Sequence, residues 1–244
     1  MKATTKSSKT LQERVKAANW KSISHQLDDE GSAQIEKLLY PEECETVIRL
    51  YKNDQNFRTR VVMAQHNFGQ GEYKYFTYPL PPLVAELREH VYPYLVPIAN
   101  RWNQQSREQQ EPFPVLHRDF LKRCHSSGQI KPTPLILCYE TGDYNCLHQD
   151  LYGANVFPLQ LAILLSVPGR DFTGGEFVMT EQRPRMQSRA NVVSLNQGDA
   201  VLFSVNNRPV EGKRGVYTVK LKHGVSRIRS GHRFTLGIIF HDAQ

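Results

Sequence analysis

The stretch Tyr139-Glu140-Thr141-Gly142-Asp143-Tyr144-Asn145-Cys146-Leu147-His148-Gln149-Asp150 decides the fold. It has the pattern of a strand end, a turn at Gly142 and a second strand that ends near His148. Short apolar runs separated by turns continue to the C-terminus. They predict eight strands, at residues 135–139, 145–148, 159–166, 176–179, 191–195, 200–204, 217–221 and 234–240. Eight short antiparallel strands are typical of a double-sheet jelly roll.

The first half of the chain has a different pattern. Residues 11–56 carry apolar residues at helical spacing, including the segment 34–39 and a helix that opens at Pro41. Residues 57–78 alternate and predict a hairpin around Gly69-Gln70-Gly71, and residues 82–126 return to helix. We therefore expect an α+β fold: a double-stranded β-helix (jelly roll) core with N-terminal helices packed on one sheet. The expected regions are a basic flexible tail (1–20), a helical and hairpin lid or support (21–133) and the jelly-roll core (134–244).

Composition limits the class of protein. A chain of 244 residues with 39% hydrophobic residues can bury one sizeable core. Much of the formal charge of +7 comes from residues 1–21 and 183–233, and a basic face beside a site fits a polyanionic partner as well as a merely solvated surface. The chain has no apolar run of bilayer length, no secretory signal and no paired cysteine spacing. We expect a cytoplasmic protein without a membrane partner.

His148 and Asp150 have the spacing of metal ligands on a strand. Residues i and i+2 of a strand point to the same face, so both side chains can reach one ion. His223 follows 73 residues after Asp150, which is far enough for the intervening strands to bring it back beside them. Two imidazoles and one carboxylate form the facial set that holds a non-heme Fe(II) and leaves coordination sites open.

Other histidines compete for this role. His117-Arg118-Asp119 repeats the spacing, but it lies in a predicted helix from Leu116 to Cys124, where residues i and i+2 diverge. We therefore interpret His117 as structural. His232 and His241 lie beside the last strand and lack an upstream partner, so they are weaker candidates.

The order of motifs carries a family resemblance. Phe172-Thr173-Gly174-Gly175-Glu176-Phe177, Asn196-Gln197-Gly198-Asp199, Lys222-His223-Gly224-Val225 and Arg233-Phe234-Thr235 follow the His148 stretch. Over residues 135–244 this order resembles the Fe(II)/2-oxoglutarate-dependent dioxygenase superfamily. The resemblance implies an oxidoreductase that uses Fe(II) and 2-oxoglutarate, with His148, Asp150 and His223 as iron ligands.

The resemblance also implies a cosubstrate site. Arg233 would bind the distal carboxylate of 2-oxoglutarate through a fork-shaped, charge-assisted pair, with Thr235 beside it and the Tyr139 hydroxyl on the same carboxylate. Arg227 and Arg229 compete with Arg233, which is favoured because it starts an apolar strand.

The N-terminal half extends the likeness. The segment 57–76, Tyr78-Pro79-Leu80-Pro81 and the ending 229–242 resemble a bacterial branch of the superfamily described as AlkB-like oxygenases of damaged nucleic acid. This implies oxidative demethylation or hydroxylation of damaged or single-stranded DNA, as in DNA repair. Such chemistry needs an extruded base that stacks on aromatic side chains beside basic ones. The predicted hairpin offers this mixture as a substrate lid, in Arg58, Arg60, His66, Tyr73, Lys74 and Tyr75.

Three alternatives stay open. The aromatic residues of the hairpin can simply pack the hairpin against the core, since strands favour aromatic residues. The ten-residue spacing from His223 to Arg233 is similar to that of prolyl-hydroxylase-like members, which leaves hydroxylation of a protein side chain or a small molecule open. A non-enzymatic, cupin-like metal-binding module is the third.

Overall fold

The computed structural model describes residues 9–106, 110–151, 153–213 and 215–244. The described helices are α1 (Leu11–Ala17), α2 (Trp20–Glu30), α3 (Pro41–Leu50), α4 (Pro82–Gln105) and α5 (His117–Ser126). The strands are β1 (Ser32–Ile35), β2 (Phe57–Val62), β3 (Gly69–Gln70), β4 (Glu72–Phe76), β5 (Leu135–Tyr139), β6 (Tyr144–His148), β7 (Leu159–Leu164), β8 (Phe172–Gly174), β9 (Phe177–Gln182), β10 (Arg189–Val193), β11 (Ala200–Ser204), β12 (Asn207–Gly212), β13 (Gly215–Val225), β14 (Ile228–Gly231) and β15 (Arg233–Ile238).

Two antiparallel sheets form the body of the molecule. The larger sheet has the order β1-β11-β7-β15-β5-β4-β2. The smaller sheet has the order β10-β9-β13-β6-β3, with β12 added beside β13, and β14 pairs separately with β8. In its C-terminal half the chain crosses repeatedly between the two sheets, as expected for a jelly roll. The α+β, double-stranded β-helix prediction is confirmed.

The larger sheet is buried on both faces. On β7, Leu161 and Ile163 join the core beneath the helices, whereas Ala162 and Leu164 join the core between the sheets. The continuous apolar run of β7 follows from this double burial. The helices cover the outer face of the sheet, and the longest helix, α4, buries Val91 and other residues at helical spacing in the same outer core.

The helix predicted at residues 34–39 is wrong. Gln34 and Ile35 end β1, which pairs with β11 at the edge of the larger sheet, and residues 36–39 form a turn. Gly31, in the left-handed conformation that glycine adopts easily, ends α2 just before this strand. The burial of Ala33 and Ile35 on the sheet outweighs the helical spacing, which short segments mimic by chance.

The predicted regional division also differs from the structure. Within the predicted tail, Thr10 caps α1 in a capping box with Glu13, and α1 buries Val15 in the outer core; residues 1–8 lie outside the described residues. Strands from residues 32–76 enter both sheets, so the N-terminal segment is part of the jelly roll. The eight predicted strands are confirmed, the hairpin is confirmed as β2 and β4, and β8, β12 and β14 were not predicted.

A buried ion pair joins the end of the chain to the helices. The carboxylate of Asp242 accepts hydrogen bonds from Arg88 of α4 at 2.9 Å and from the Tyr78 hydroxyl at 2.8 Å. His125 of α5 lies 2.9 Å from the same carboxylate. Both Arg88 and Asp242 are almost completely buried, so neither charge can turn to water if the other is lost.

Asp242→Ala should therefore lower the free energy of unfolding by about 3–5 kcal/mol, the cost of leaving a buried charge unpaired. Glu45→Ala is the matched control, because Glu45 and Arg49 form a long, exposed pair at 3.9 Å. Its loss should cost less than about 1 kcal/mol. Urea unfolding measures both values, and equal losses would refute the buried-pair account.

Candidate metal and cosubstrate site

The three predicted ligands converge. His148 on β6 and His223 on β13 are direct cross-strand partners. Asp150 follows the end of β6, and its carboxylate oxygens lie 3.5 Å from Nε2 of His148 and 3.4 Å from Nε2 of His223. The three ligand atoms all lie within 4.8 Å of one another. One ion can be reached by all three side chains.

The backbone around His223 allows this close approach. A Cβ atom on Gly224 would lie 2.6 Å from the carbonyl oxygen of Asn145, so only glycine lets β13 pass β6 at this point. Nδ1 of His148 lies 2.8 Å from the carbonyl oxygen of Cys146. This hydrogen bond places a proton on Nδ1, so that Nε2, which faces Asp150, can bind a metal ion once it is deprotonated.

The electrostatics keep the site ready for a cation. Burial acts to raise the pKa of Asp150, but the hydrogen bonds and charges of His148 and His223 hold it well below its usual range. Burial lowers the pKa of His223, which favours the neutral imidazole that binds metals. An ionised carboxylate and imidazole nitrogens at this separation fit an Fe(II) ion held on one face.

Arg233 is a buried cation beside the ligands. Its guanidinium donates a 2.6 Å hydrogen bond to the hydroxyl of Thr235 and lies 5.8 Å from the Tyr139 ring centroid. Within the described residues no carboxylate pairs with Arg233, and its Nε has no partner. The nearby Glu176 hydrogen-bonds Ser226 instead. Burial lowers the pKa of Arg233 to about 10, so the group stays protonated near neutral pH.

An unpaired guanidinium in the interior fits an incoming carboxylate. Arg233 and Tyr139 are direct cross-strand partners on β15 and β5, and Thr235 shares the inward face two residues on. Gly175 makes room for the arginine, since a Cβ there would lie 2.9 Å from its Cδ. These groups can hold the distal carboxylate of 2-oxoglutarate while its keto-acid end faces the three ligands.

One cavity between the sheets connects both groups of residues. Its lining includes the metal triad, Tyr139, Arg233 and Thr235. Tyr73 and Tyr75 of the hairpin also line it, with ring centroids 5.3 Å apart in an edge-to-face contact. The exposed Phe68 lines it at the rim.

The other four predicted hairpin contacts do not line this cavity. Lys74 is buried on the opposite face of β4, where its ammonium donates to Asp54 and to the Tyr51 carbonyl. Arg60 pairs with Glu72 at the surface. These two corrections follow from strand alternation, which sends Tyr73 and Tyr75 inward and Lys74 outward.

Arg58 and His66 occupy intermediate positions. The Arg58 guanidinium lies over the Tyr75 ring at 4.6 Å and donates to the Pro132 carbonyl. His66 is exposed and stacks on Phe68 at 5.3 Å. Neither side chain lines the cavity. Each contacts an aromatic residue that does: Arg58 contacts Tyr75, and His66 contacts Phe68.

Several cavity residues were missed in the sequence. Phe177 and Phe203 flank the His223 ring at 6.0 Å and 4.6 Å, and Gln160 contributes a buried amide. Gln149, between the ligands, donates to Asn206 and to the Leu221 carbonyl. The one signal for Gln160 is its polarity within the apolar run of β7, since an isolated polar residue in a buried strand needs a partner.

The competing residues lie elsewhere. His117 on α5 is buried beside the Phe240 carbonyl at 2.8 Å, and burial lowers its pKa to about 3. His241 lies next to the backbone amide of Phe157, and His232 is exposed near Glu140. Arg227 and Arg229 are exposed. Among the described residues, the His148 triad alone forms a group of three potential ligands.

Comparison with known proteins gives a family match. The model of a family described as "Oxygenase, catalysing oxidative methylation of damaged DNA" matches residues 71–243. The chain is 48% identical over 169 residues to an uncharacterized protein found in two strains of Mycobacterium tuberculosis (CDC 1551 / Oshkosh and H37Rv). The match covers 69% of this chain and 72% of the relative.

Solved structures share the fold. A prolyl-4-hydroxylase of Pseudomonas putida has a TM-score of 0.52 at 11% identity, covering 92% of this chain and 99% of that one. A 2OG-Fe(II) oxygenase-family oxidoreductase of Burkholderia pseudomallei has a TM-score of 0.52 at 13% identity, covering 93% of each chain. A prolyl 4-hydroxylase of Phytophthora capsici scores 0.54 at 19% identity, covering 95% and 66%. At these identities the likeness concerns the fold.

The triad predicts a metal dependence that can be measured without turnover. Asp150→Asn removes the anionic ligand and should lower the affinity for Fe(II) at least 10-fold, measured by anaerobic equilibrium dialysis. Asp119→Asn is the matched control, because Asp119 closes the second His-x-Asp motif and pairs only with Lys122 at the surface. Equal metal binding by both variants would rule out Asp150 as a ligand.

Arg233 predicts a specific loss of cosubstrate binding. Arg233→Lys keeps the charge but loses the fork, so the Kd for 2-oxoglutarate should rise about 10- to 100-fold, as for a lost charge-assisted hydrogen bond. Calorimetric titration of the metal-loaded protein measures this change. Arg229→Lys, on the neighbouring exposed strand, should leave the Kd unchanged. An unchanged Kd in Arg233→Lys would contradict the assignment.

Proposed function

The chain belongs to the oxygenase family described as acting on damaged DNA, and from this premise we propose that it demethylates alkylated bases in DNA. In this proposal it uses Fe(II) and 2-oxoglutarate, which the triad and the buried Arg233 support. When bound, the iron and cosubstrate would activate dioxygen, so that one oxygen atom enters a substrate C–H bond and the other enters the succinate formed when 2-oxoglutarate loses carbon dioxide. A hydroxylated N-methyl group then leaves as formaldehyde, and the hydroxyl proton passes to the ring nitrogen of a neutral base or to solvent when the base was cationic.

The protein side chains have separate tasks in this proposal. His148, Asp150 and His223 would hold the metal from one face and leave the other face toward the cavity. Arg233 and Thr235 would fix the far end of the cosubstrate, so that its orientation is set before the substrate arrives. The phenylalanines beside His223 exclude water, which keeps the oxidant from unproductive reactions.

The observation that carries the substrate proposal is the aromatic wall over the triad. Tyr73 and Tyr75 line the same cavity as the ligands and stand edge to face. A flat base can stack on such a wall, and stacking tolerates any base because each has a π-face. The enclosed cavity requires the base to leave a duplex or to come from a single strand.

Cationic groups lie where a nucleic-acid backbone would pass. Arg58 covers the outer side of Tyr75, and Arg227 lies 5.7 Å from the Tyr144 ring on β6. Lys220 and Lys222 are exposed on the outer face of β13, opposite His223, and add positive charge to that surface. Unneutralised charges of this kind favour a polyanion and make binding salt-dependent. We propose a cytoplasmic enzyme, which the four free cysteines favour.

The proposal predicts which molecules raise cosubstrate consumption. Single-stranded DNA with N-methylated bases should increase succinate formation well above the rate with the same unmodified strand, with one formaldehyde released for each methyl group removed. Tyr73→Ala should raise the KM for the methylated strand about 10-fold, because base stacking contributes about 1–3 kcal/mol.

Tyr217→Ala is the matched control, since this half-buried tyrosine on β13 does not line the cavity. Stimulation by proline-containing peptides or metabolites, with none by methylated DNA, would replace this proposal by the hydroxylation of a protein or small molecule.

A further inference from the structure

Gln160 is a buried amide inside the cavity. It lies on β7, where its neighbours on the same face, Ala162 and Leu164, pack between the sheets. Its side chain is 96% buried and lines the cavity, yet its Nε2 has no hydrogen-bond partner within the described part of the chain. Leaving such a donor unpaired costs stability, so we expect a bound ligand to be its partner.

The register of the strands separates Gln160 from the cosubstrate carboxylate site. The Arg233 guanidinium reaches Thr235, whose partner on β7 is Leu164. Gln160 lies four residues further along β7, a distance of about 13 Å. A 2-oxoglutarate molecule held by Arg233 would have to span this gap, in addition to chelating the metal, before it could reach the amide. The cosubstrate is therefore not the expected partner of Gln160.

The same register places Gln160 beside the metal ligands. Its direct partner on β11 is Phe203, whose ring lies 4.6 Å from the His223 ring. Ala162 and Gly237 are direct partners between Gln160 and the arginine, and their small size keeps the cavity open there. The amide thus lies at the end of the cavity away from Arg233, beside the Phe203 ring that contacts His223, and this end is available to the substrate.

We propose that Gln160 recognises the substrate base by donating a hydrogen bond from Nε2 to a ring carbonyl next to the alkylated nitrogen. This rests on the proposed function, and it names the substrate class. Bases with such a carbonyl, including 3-methylcytosine and 3-methylthymine, are preferred to 1-methyladenine, which has none. An unpaired buried donor facing 1-methyladenine is the physical source of the discrimination.

The test uses single-stranded oligonucleotides that differ in one modified base. 3-Methylcytosine and 1-methyladenine both carry a positive charge, so charge does not distinguish them, and the comparison of wild type with Gln160→Met separates the effect of the carbonyl from that of base size. The wild type should bind and demethylate 3-methylcytosine at least 10-fold better, measured as kcat/KM and as fluorescence anisotropy with manganese(II) in place of iron. Gln160→Met keeps the length of the side chain but loses the amide, and it should remove this preference by weakening 3-methylcytosine alone.

Gln160→Glu should reverse the base preference. A carboxylate accepts hydrogen bonds but cannot donate them, so this variant should turn away from 3-methylthymine and toward 1-methyladenine with its amino group. Calorimetric binding of 2-oxoglutarate verifies that each variant keeps its folded cosubstrate site.

The outcomes separate the two proposals. Equal wild-type use of 3-methylcytosine and 1-methyladenine, or equal losses on both in Gln160→Met, would overturn the role of Gln160 and leave demethylation standing. A raised Kd for 2-oxoglutarate in Gln160→Met would assign the amide to the cosubstrate and likewise overturn it. Failure of every methylated strand to bind or react would overturn the proposed function itself.

Discussion

The pairing of β6 with β13 is the constraint on which the site depends. It makes His148 and His223, distant in sequence, direct neighbours, and it places Asp150 within 3.5 Å of both imidazoles. Gly224 permits the close passage of the two strands. The second sheet then faces this pair across the cavity and supplies Arg233, Thr235 and the hairpin tyrosines. A shift of one residue in either strand would turn a ligand to the opposite face.

Several buried polar groups that line the cavity lack a partner, as do a few arginine and histidine nitrogens elsewhere in the described residues. Arg233 Nε, His223 Nδ1 and Gln160 Nε2 lack hydrogen bonds within the residues that the structure describes. Folded proteins satisfy most such groups, because each unsatisfied one costs stability. The contrast is with Arg88 and Asp242, a buried pair whose hydrogen bonds hold the chain end to the helices. The Arg88–Asp242 pair stabilises the fold, whereas the unpartnered groups that line the cavity are available to ligands.

Much of this could be predicted from the sequence, because strand alternation and turn residues are local signals. His148 and Asp150 needed only the two-residue period of a strand, and the eight predicted strands needed only apolar runs between turns. The helix predicted at residues 34–39 was wrong because β1, a four-residue edge strand that ends at Ile35, is stabilised by its pairing with β11 and not by its own sequence pattern. Lys74 was wrongly predicted to contact the substrate, because the composition of a hairpin shows which residues it contains but not which face of the sheet each side chain occupies. Gln160 depends on cross-strand register, which no single segment encodes.

The most direct test of the central claim is an anaerobic titration of the Fe(II)-loaded protein with 2-oxoglutarate, followed by visible absorption. Chelation of the iron by the keto-acid end in a site with open coordination positions predicts a weak charge-transfer band that saturates at one equivalent per chain. Absence of the band, with iron shown to be bound, would contradict the convergence of triad and arginine on one cosubstrate.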